Sequence, residues 1–290
     1  MRSVYLSHVG CWVRYLDLPG DSPGRDGAGS SNASGPPNAS GSRDATDFPD
    51  PLFVYVAGLG AATSADFPHV ATHPALRRHR SLLVDLVGTG WSDQADSERF
   101  GYTVEDHADA VAAVLDADGV RGATVVGHSL GGSVAIALAH RRPELVGTLV
   151  ACEPNLDPGV GDLSAHVAAQ TEEAFVRRGY DALRAVVARD EHAAGKSVLH
   201  ATTGRWTAVG MHRTSVSMLA DRDPTFRTQF AQATMPRALL VGERTTDVDL
   251  TGLEPAGVAV HVVPSAGHVM TYDNPAGFAA TIAAAVEQAH

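Results

Sequence analysis

Residues 123–140 read Ala-Thr-Val-Val-Gly-His-Ser-Leu-Gly-Gly-Ser-Val-Ala-Ile-Ala-Leu-Ala-His, and a change of rhythm inside them decides the fold. Ala123 to Val126 is a short apolar run that predicts a buried strand, and Leu130 to His140 reads as a helix. The join, Gly127-His128-Ser129-Leu130-Gly131, fits the G-x-S-x-G pattern of a sharp strand-to-helix turn. Gly127 and Gly131 leave out a Cβ where it would clash, and Ser129 is pushed out at the carboxyl edge of the sheet. The helix behind it aims its N-terminal amides at any negative charge that develops there. A glycine-rich turn capped by a serine is the plainer reading, but strand before and helix after favour a nucleophile.

The rhythm extends in both directions. Apolar runs fall at Leu52 to Val56, Ser81 to Leu86, Thr148 to Ala151, Ala238 to Val241 and Ala259 to Val263, with helical stretches at His69 to Arg80, Val104 to Ala117 and Pro275 to Gln288. Short strands without polar alternation, separated by helices, predict a mostly parallel, doubly wound α/β sheet covered on both faces. A hairpin of Val4 to His8 and Cys11 to Asp17 about Val9-Gly10 precedes it.

Two stretches break the pattern. From Gly20 to Asp50 small and polar residues dominate and Phe48 is the one large apolar residue, so the segment reads as a flexible insertion between strands. From Asn155 to Pro236 helical periodicity recurs at Ala165 to Arg178, Tyr180 to Ala188, Gly204 to Ala220 and Phe226 to Ala233, with no strand pattern. The expected organisation is a core of residues 1–154 and 237–290 with a helical cap of residues 155–236 inserted. Phe175, Trp206, Met211, Met218, Phe226 and Phe230 of the cap are expected to pack.

With 22 basic against 33 acidic residues the net charge is −11, which excludes the basic face of a nucleic-acid binder. No apolar run approaches the roughly 18 residues of a membrane span. Arg2, His8 and Arg14 interrupt any signal-like start, so a cytoplasmic location is expected. Cys11 and Cys152 are too few for a disulfide framework, and ligand-type residues are not grouped, so neither metal nor organic cofactor is expected. The expected partner is a small-molecule substrate, with the oligomeric state open.

A serine attacks only when a base takes its proton, and behind such an elbow the order is serine, acid, histidine. Among 14 histidines, His268 in Ser265-Ala266-Gly267-His268 has the required position, after the last apolar run and before the final helix. His73, His79, His140 and His192 are read as solvated, and His128 as pointing elsewhere.

Two more motifs join the elbow: Ala57-Gly58-Leu59-Gly60 after the third strand, and Asp85-Leu-Val-Gly88-Thr-Gly90-Trp-Ser92-Asp93 at the fourth. Together the three resemble the serine-nucleophile, esterase- and lipase-like branch of the α/β-hydrolase superfamily, over the whole chain apart from the insertion. The first looks like the family's His-Gly oxyanion loop with alanine for histidine, and the second like its Asp-x-x-Gly-x-Gly-x-Ser stretch. The resemblance implies that the N–H groups of Leu59 and Leu130 form an oxyanion hole, and that Asp85 braces the turn beneath the oxyanion loop. It also implies an acid to orient His268. In most relatives that acid follows the strand corresponding to Ala238 to Val241, but Gly242-Glu243-Arg244-Thr245 puts a threonine there. Asp247 comes two residues late, Asp249 later still, and Glu243 lies nearer the strand. The other position used in the superfamily is the end of the preceding strand, where Glu153 stands before Pro154. A carboxylate there is costly to desolvate without a partner such as imidazolium, so Glu153 is favoured, with Asp247 the alternative.

The resemblance implies a serine hydrolase that cleaves an ester or related acyl bond of a small to medium apolar substrate through an acyl-enzyme. Lactonases, carbon–carbon bond hydrolases and cofactor-free perhydrolases can share the triad, and ligand receptors can share the fold. Dehalogenases and epoxide hydrolases carry aspartate at the elbow, which argues against them.

Overall fold

Along Phe53, Val54, Tyr55 and Val56 successive side chains enter two separate cores. Phe53 and Tyr55 join Phe67, Phe278 and Ile282, whereas Val54 and Val56 join Val111, Leu115, Val134 and Leu138. A strand's side chains alternate between faces, so one covered on both sides is apolar at every position. The computed structural model describes residues 1–21, 52–159, 161–193, 198–246 and 248–289. The expected insertion, beyond Gly20 and Asp21, and the candidate acid Asp247 lie outside the described residues.

Strands β1 (Arg2–Leu6), β2 (Cys11–Leu18), β3 (Phe53–Val56), β4 (Ser81–Val84), β5 (Ala123–His128), β6 (Val146–Cys152), β7 (Arg237–Gly242) and β8 (Ala259–Val263) form one sheet. Its order is β1-β2-β4-β3-β5-β6-β7-β8, antiparallel at β1–β2 and β2–β4 and parallel elsewhere. Helices α1 (Thr63–Asp66), α2 (Pro68–Ala71), α3 (Val104–Ala117) and α4 (Leu130–Arg141) precede β6. Between β6 and β7 come α5 (Asp162–Ala168), α6 (Glu172–Ala174), α7 (Tyr180–Ala193), α8 (Val198–Thr203), α9 (Ala208–Leu219) and α10 (Phe226–Gln232). After β8 come α11 (Met270–Asp273) and α12 (Pro275–Gln288). Helices α3 and α4 cover one face of the sheet, and α2 and α12 the other. Among the described residues no helix is long and apolar enough to cross a membrane.

The hairpin and the expected strands are present, and α3 and α12 have the expected bounds. The start of α3 is fixed chemically: Thr103 Oγ1 accepts from Asp106 N at 3.0 Å while the Asp106 carboxylate accepts from Thr103 N at 3.1 Å. The helix expected over His69 to Arg80 stops at Ala71, because Pro74 cannot supply an N–H and disfavours helical geometry before it. His79, expected in solvent, is buried against the Phe53 ring.

Between β6 and β7 the described residues hold helices and no strand. The helix expected over 165–178 is divided, since Thr171 caps a new start by accepting from Ala174 N at 3.2 Å. Helix α9 begins at Ala208 rather than Gly204, because the Thr207 N–H bonds to Gly88 O at 3.0 Å. All six large residues expected to pack are buried. Helix α9 packs on α3 and α10 on α4.

The α3–α9 contact encloses His107. Thr214 Oγ1 donates to Tyr102 O at 2.9 Å, so His107 Nε2, 3.1 Å from that hydroxyl, is the donor between them. His107 Nδ1 is buried with no partner, and burial pushes the imidazole down to about 4. Burial likewise holds His128 near 4. Such groups stay neutral in the folded chain and bind protons on unfolding, so they withdraw stability as pH falls from their ordinary 6.5 toward 4. Asp66, raised by burial to about 6, acts in the opposite sense below that value. Burial also lowers His261 and raises Asp85, so three histidines outweigh two carboxyls, and the urea midpoint should drop on acidification through this window. His107→Gln, which keeps a donor for Thr214, should make the slope shallower by about 1.4 kcal/mol per pH unit.

Candidate active site

Ser129 is the residue before α4, with φ 54° and ψ −120°, outside the regions that side-chain-bearing residues favour. The turn is tight enough to exclude side chains on both flanks. A Cβ on Gly127 would lie 2.1 Å from Gly131 O, and one on Gly131 would lie 2.1 Å from Val56 O. The first bonds of α4 run from Gly132 N and Ser133 N to Ser129 O, so the Leu130 N–H precedes them without an intrahelical acceptor. The loop carrying Leu59 lies against the nucleophile, since a Cβ on Gly58 would come 3.1 Å from Ser129 Cβ. Gly58, the residue before Leu59, and Leu130 at the start of α4 thus both lie beside the serine.

His268 Nε2 lies 3.1 Å from Ser129 Oγ, and His268 Nδ1 lies 2.6 Å from Glu153 Oε2. Glu153 directly follows β6, and its N–H continues the sheet pairing to Leu240 O at 3.0 Å. Its other oxygen, Oε1, accepts from Gly242 N at 2.8 Å. Burial pushes this carboxyl up, but donation from His268, Thr245 and Gly242 outweighs burial and holds it below the usual glutamate range. The carboxylate side chain is 4% exposed and the imidazole 52%, so the charge is sealed while the ring faces solvent. Ser129, Glu153 and Ser265 all have positive φ, which concentrates backbone strain just beyond β5, β6 and β8.

Among the described residues, Glu243, Asp249 and Asp85 do different work. Glu243 accepts from Ser265 N at 2.7 Å, and Asp249 from Thr251 N at 2.8 Å. Asp85 accepts from Ser64 N, Ser64 Oγ and Trp91 N at 2.9, 2.7 and 2.9 Å, which ties the start of α1 to the Gly88–Asp93 turn. Among the described residues no three His, Cys, Asp or Glu side chains are grouped as metal ligands.

Two partners escaped the sequence reading. His128 does not point away: its Nε2 donates to the backbone carbonyl of His268 at 2.6 Å. Burial, and then the neighbouring His268, keep it neutral with a value of about 4, and a neutral ring suffices to donate. Thr245, at the position the usual acid would take, donates its hydroxyl to Glu153 instead. The absence of the usual acid was the available signal for the second; nothing in the sequence marked the first.

A family model described as alpha/beta hydrolase fold matches residues 51–275. This chain belongs to the alpha/beta hydrolase fold family. Within it, a protein of Stutzerimonas stutzeri bearing the provisional name carbamate hydrolase RutD is 36% identical over 101 residues, covering 34% of this chain and 36% of that protein. The match therefore spans about a third of that curated relative's length. A thermophilic esterase from Thermogutta terrifontis, solved with malate bound, superposes with a TM-score of 0.73 at 16% identity, over 100% of both chains. The enol-lactonase from Burkholderia xenovorans LB400 gives 0.72 at 17% identity, over 99% of this chain and 100% of that one. At such identities the likeness is one of fold.

The donors around Glu153 can be tested directly. Thr245→Val removes one hydrogen bond that favours the charged form, so the Glu153 carboxyl should titrate at higher pH, read from its ¹³C shift in glutamate-labelled protein.

Proposed function

We propose that this member of the alpha/beta hydrolase fold family is a serine hydrolase that cleaves an ester or related acyl bond of a small to medium apolar substrate. The observation that carries the reading is the unbroken relay from Ser129 Oγ through His268 to Glu153, with steps of 3.1 and 2.6 Å. Glu153, an ionised acceptor, keeps the ring proton on Nδ1 and leaves the Nε2 lone pair facing the hydroxyl. As Ser129 Oγ bonds to the substrate carbonyl carbon, His268 Nε2 takes its proton. The carbonyl oxygen gains the negative charge and accepts from the N–H groups of Leu59 and Leu130. Collapse breaks the bond to the leaving group, which takes the proton from His268. A water molecule then repeats the steps on the acyl-enzyme and restores Ser129.

Residues 155–236 serve in this reading as a cap over the site, with the remaining segments as core. Glu153 is the acid, and Asp247 has no part in the relay. The name of the Stutzerimonas relative adds carbamates to the acyl bonds worth testing, since a serine attacks their carbonyl in the same way.

The test is hydrolysis of p-nitrophenyl esters of graded chain length and of a p-nitrophenyl carbamate, with fluorophosphonate labelling read by mass spectrometry. Ser129→Ala should lose label and turnover. Glu153→Gln should lower kcat by about 10³- to 10⁴-fold, the scale for losing the orienting acid of a triad. Asp247→Asn should match the wild type. An unlabelled wild-type Ser129, or equal losses from the two acid variants, would sink the reading.

A further inference from the structure

The loop from Ala57 to Ala61 has to hold the Leu59 N–H in one position, yet it consists of two alanines, two glycines and Leu59.

None of these side chains can hydrogen-bond, so the loop is fixed from outside. Thr63 Oγ1 accepts from Ala57 N at 3.0 Å. Ala61 N closes a turn onto Gly58 O at 3.2 Å, with Gly60 at φ 83°, the sign that the third residue of a type II turn needs. The next two carbonyls are taken up by the helical segment: Thr203 Oγ1 donates to Gly60 O at 3.1 Å and Trp206 Nε1 to Ala61 O at 2.8 Å.

Both donors are buried, at 2% and 4% exposure, so water does not compete for these bonds. They are also held in turn. Tyr180 Oη lies 2.8 Å from Thr203 O and 2.6 Å from Trp206 O, and can donate to either. Arg205 Nε donates to Gly90 O at 3.0 Å, and Thr207 N to Gly88 O at 3.0 Å. A cover that only closes a pocket needs apolar contact with the rim. Residues 203–207 instead hydrogen-bond to two core loops, one of which carries the Leu59 amide.

We infer that Thr203 and Trp206 are positioning residues for the oxyanion loop, so that the segment between β6 and β7 sets the catalytic power of the site and not only access to it. The inference rests on the serine-hydrolase reading above. Removing either donor leaves a buried carbonyl unpaired and frees the turn to shift the Leu59 N–H.

The test compares Trp206→Phe and Thr203→Val, which keep bulk and remove the donor, with Val167→Ala, which loosens the buried packing of α5. Trp206→Phe should lower kcat by about 10- to 100-fold, the scale for misplacing an oxyanion donor, with KM little changed. Binding of a trifluoromethyl ketone, whose adduct carries the oxyanion, should weaken by the same factor. Amide exchange at residues 57–61 should quicken. Thr203→Val should act in the same direction, while Val167→Ala should lower Tm and keep the wild-type kcat. Unchanged kcat, inhibitor affinity and exchange in Trp206→Phe overturn the inference, as does an equal loss of kcat in Val167→Ala. If the wild type takes fluorophosphonate at Ser129 and the donor variants behave like it, only the anchoring fails; if Ser129 takes no label, the hydrolase reading fails and the inference with it.

Discussion

The Glu153 carboxylate is sealed from water at the end of a central strand, and a charge in that position persists only while donors surround it. Left unpaired, a buried ion costs several kcal/mol. Its three donors come from two strand ends: Gly242 and Thr245 at the end of β7, and His268 after β8. Moving any one of these loops exposes or strands the charge. The mutual position of three strand ends is therefore set by electrostatics as much as by packing, and the strain at Glu153 and Ser265 is tolerated within that constraint.

Two histidines with ring centroids 5.0 Å apart divide the remaining work by environment. His128 is buried and neutral, and its Nε2 proton is committed to the His268 carbonyl. His268 faces solvent on one side and a carboxylate on the other, which suits the proton transfers proposed for it. One holds the backbone of the loop, and the other stands between the Ser129 hydroxyl and the Glu153 carboxylate.

The legible parts of the molecule were those written in local pattern. The strands were visible because both faces of the sheet are covered, and α3 because its apolar residues recur with a helical period from Val104 to Ala117. Ser129 and His268 could be singled out because the elbow demands glycines at fixed spacing and a fixed chain order. Glu153 could be weighed because it ends a strand. What the sequence hid is long-range: His128 meets a carbonyl 140 residues away, and Trp206 one 145 residues away. Such bonds to backbone leave no periodicity and require no particular residue type at the accepting end. The helix that apolar spacing predicts over His69 to Arg80 breaks for a local reason, since Pro74 overrides that spacing.

A loop that carries a reacting group cannot easily change length, because every insertion moves that group. With the acid at the end of β6, the proposed mechanism asks of the connection after β7 only the Gly242 N–H and the Thr245 hydroxyl, both within its first few residues. From Val248 to Gly257 the chain is released from that demand. This stretch is where the scaffold can accept new sequence, for recognition or for tethering, without disturbing the chemistry.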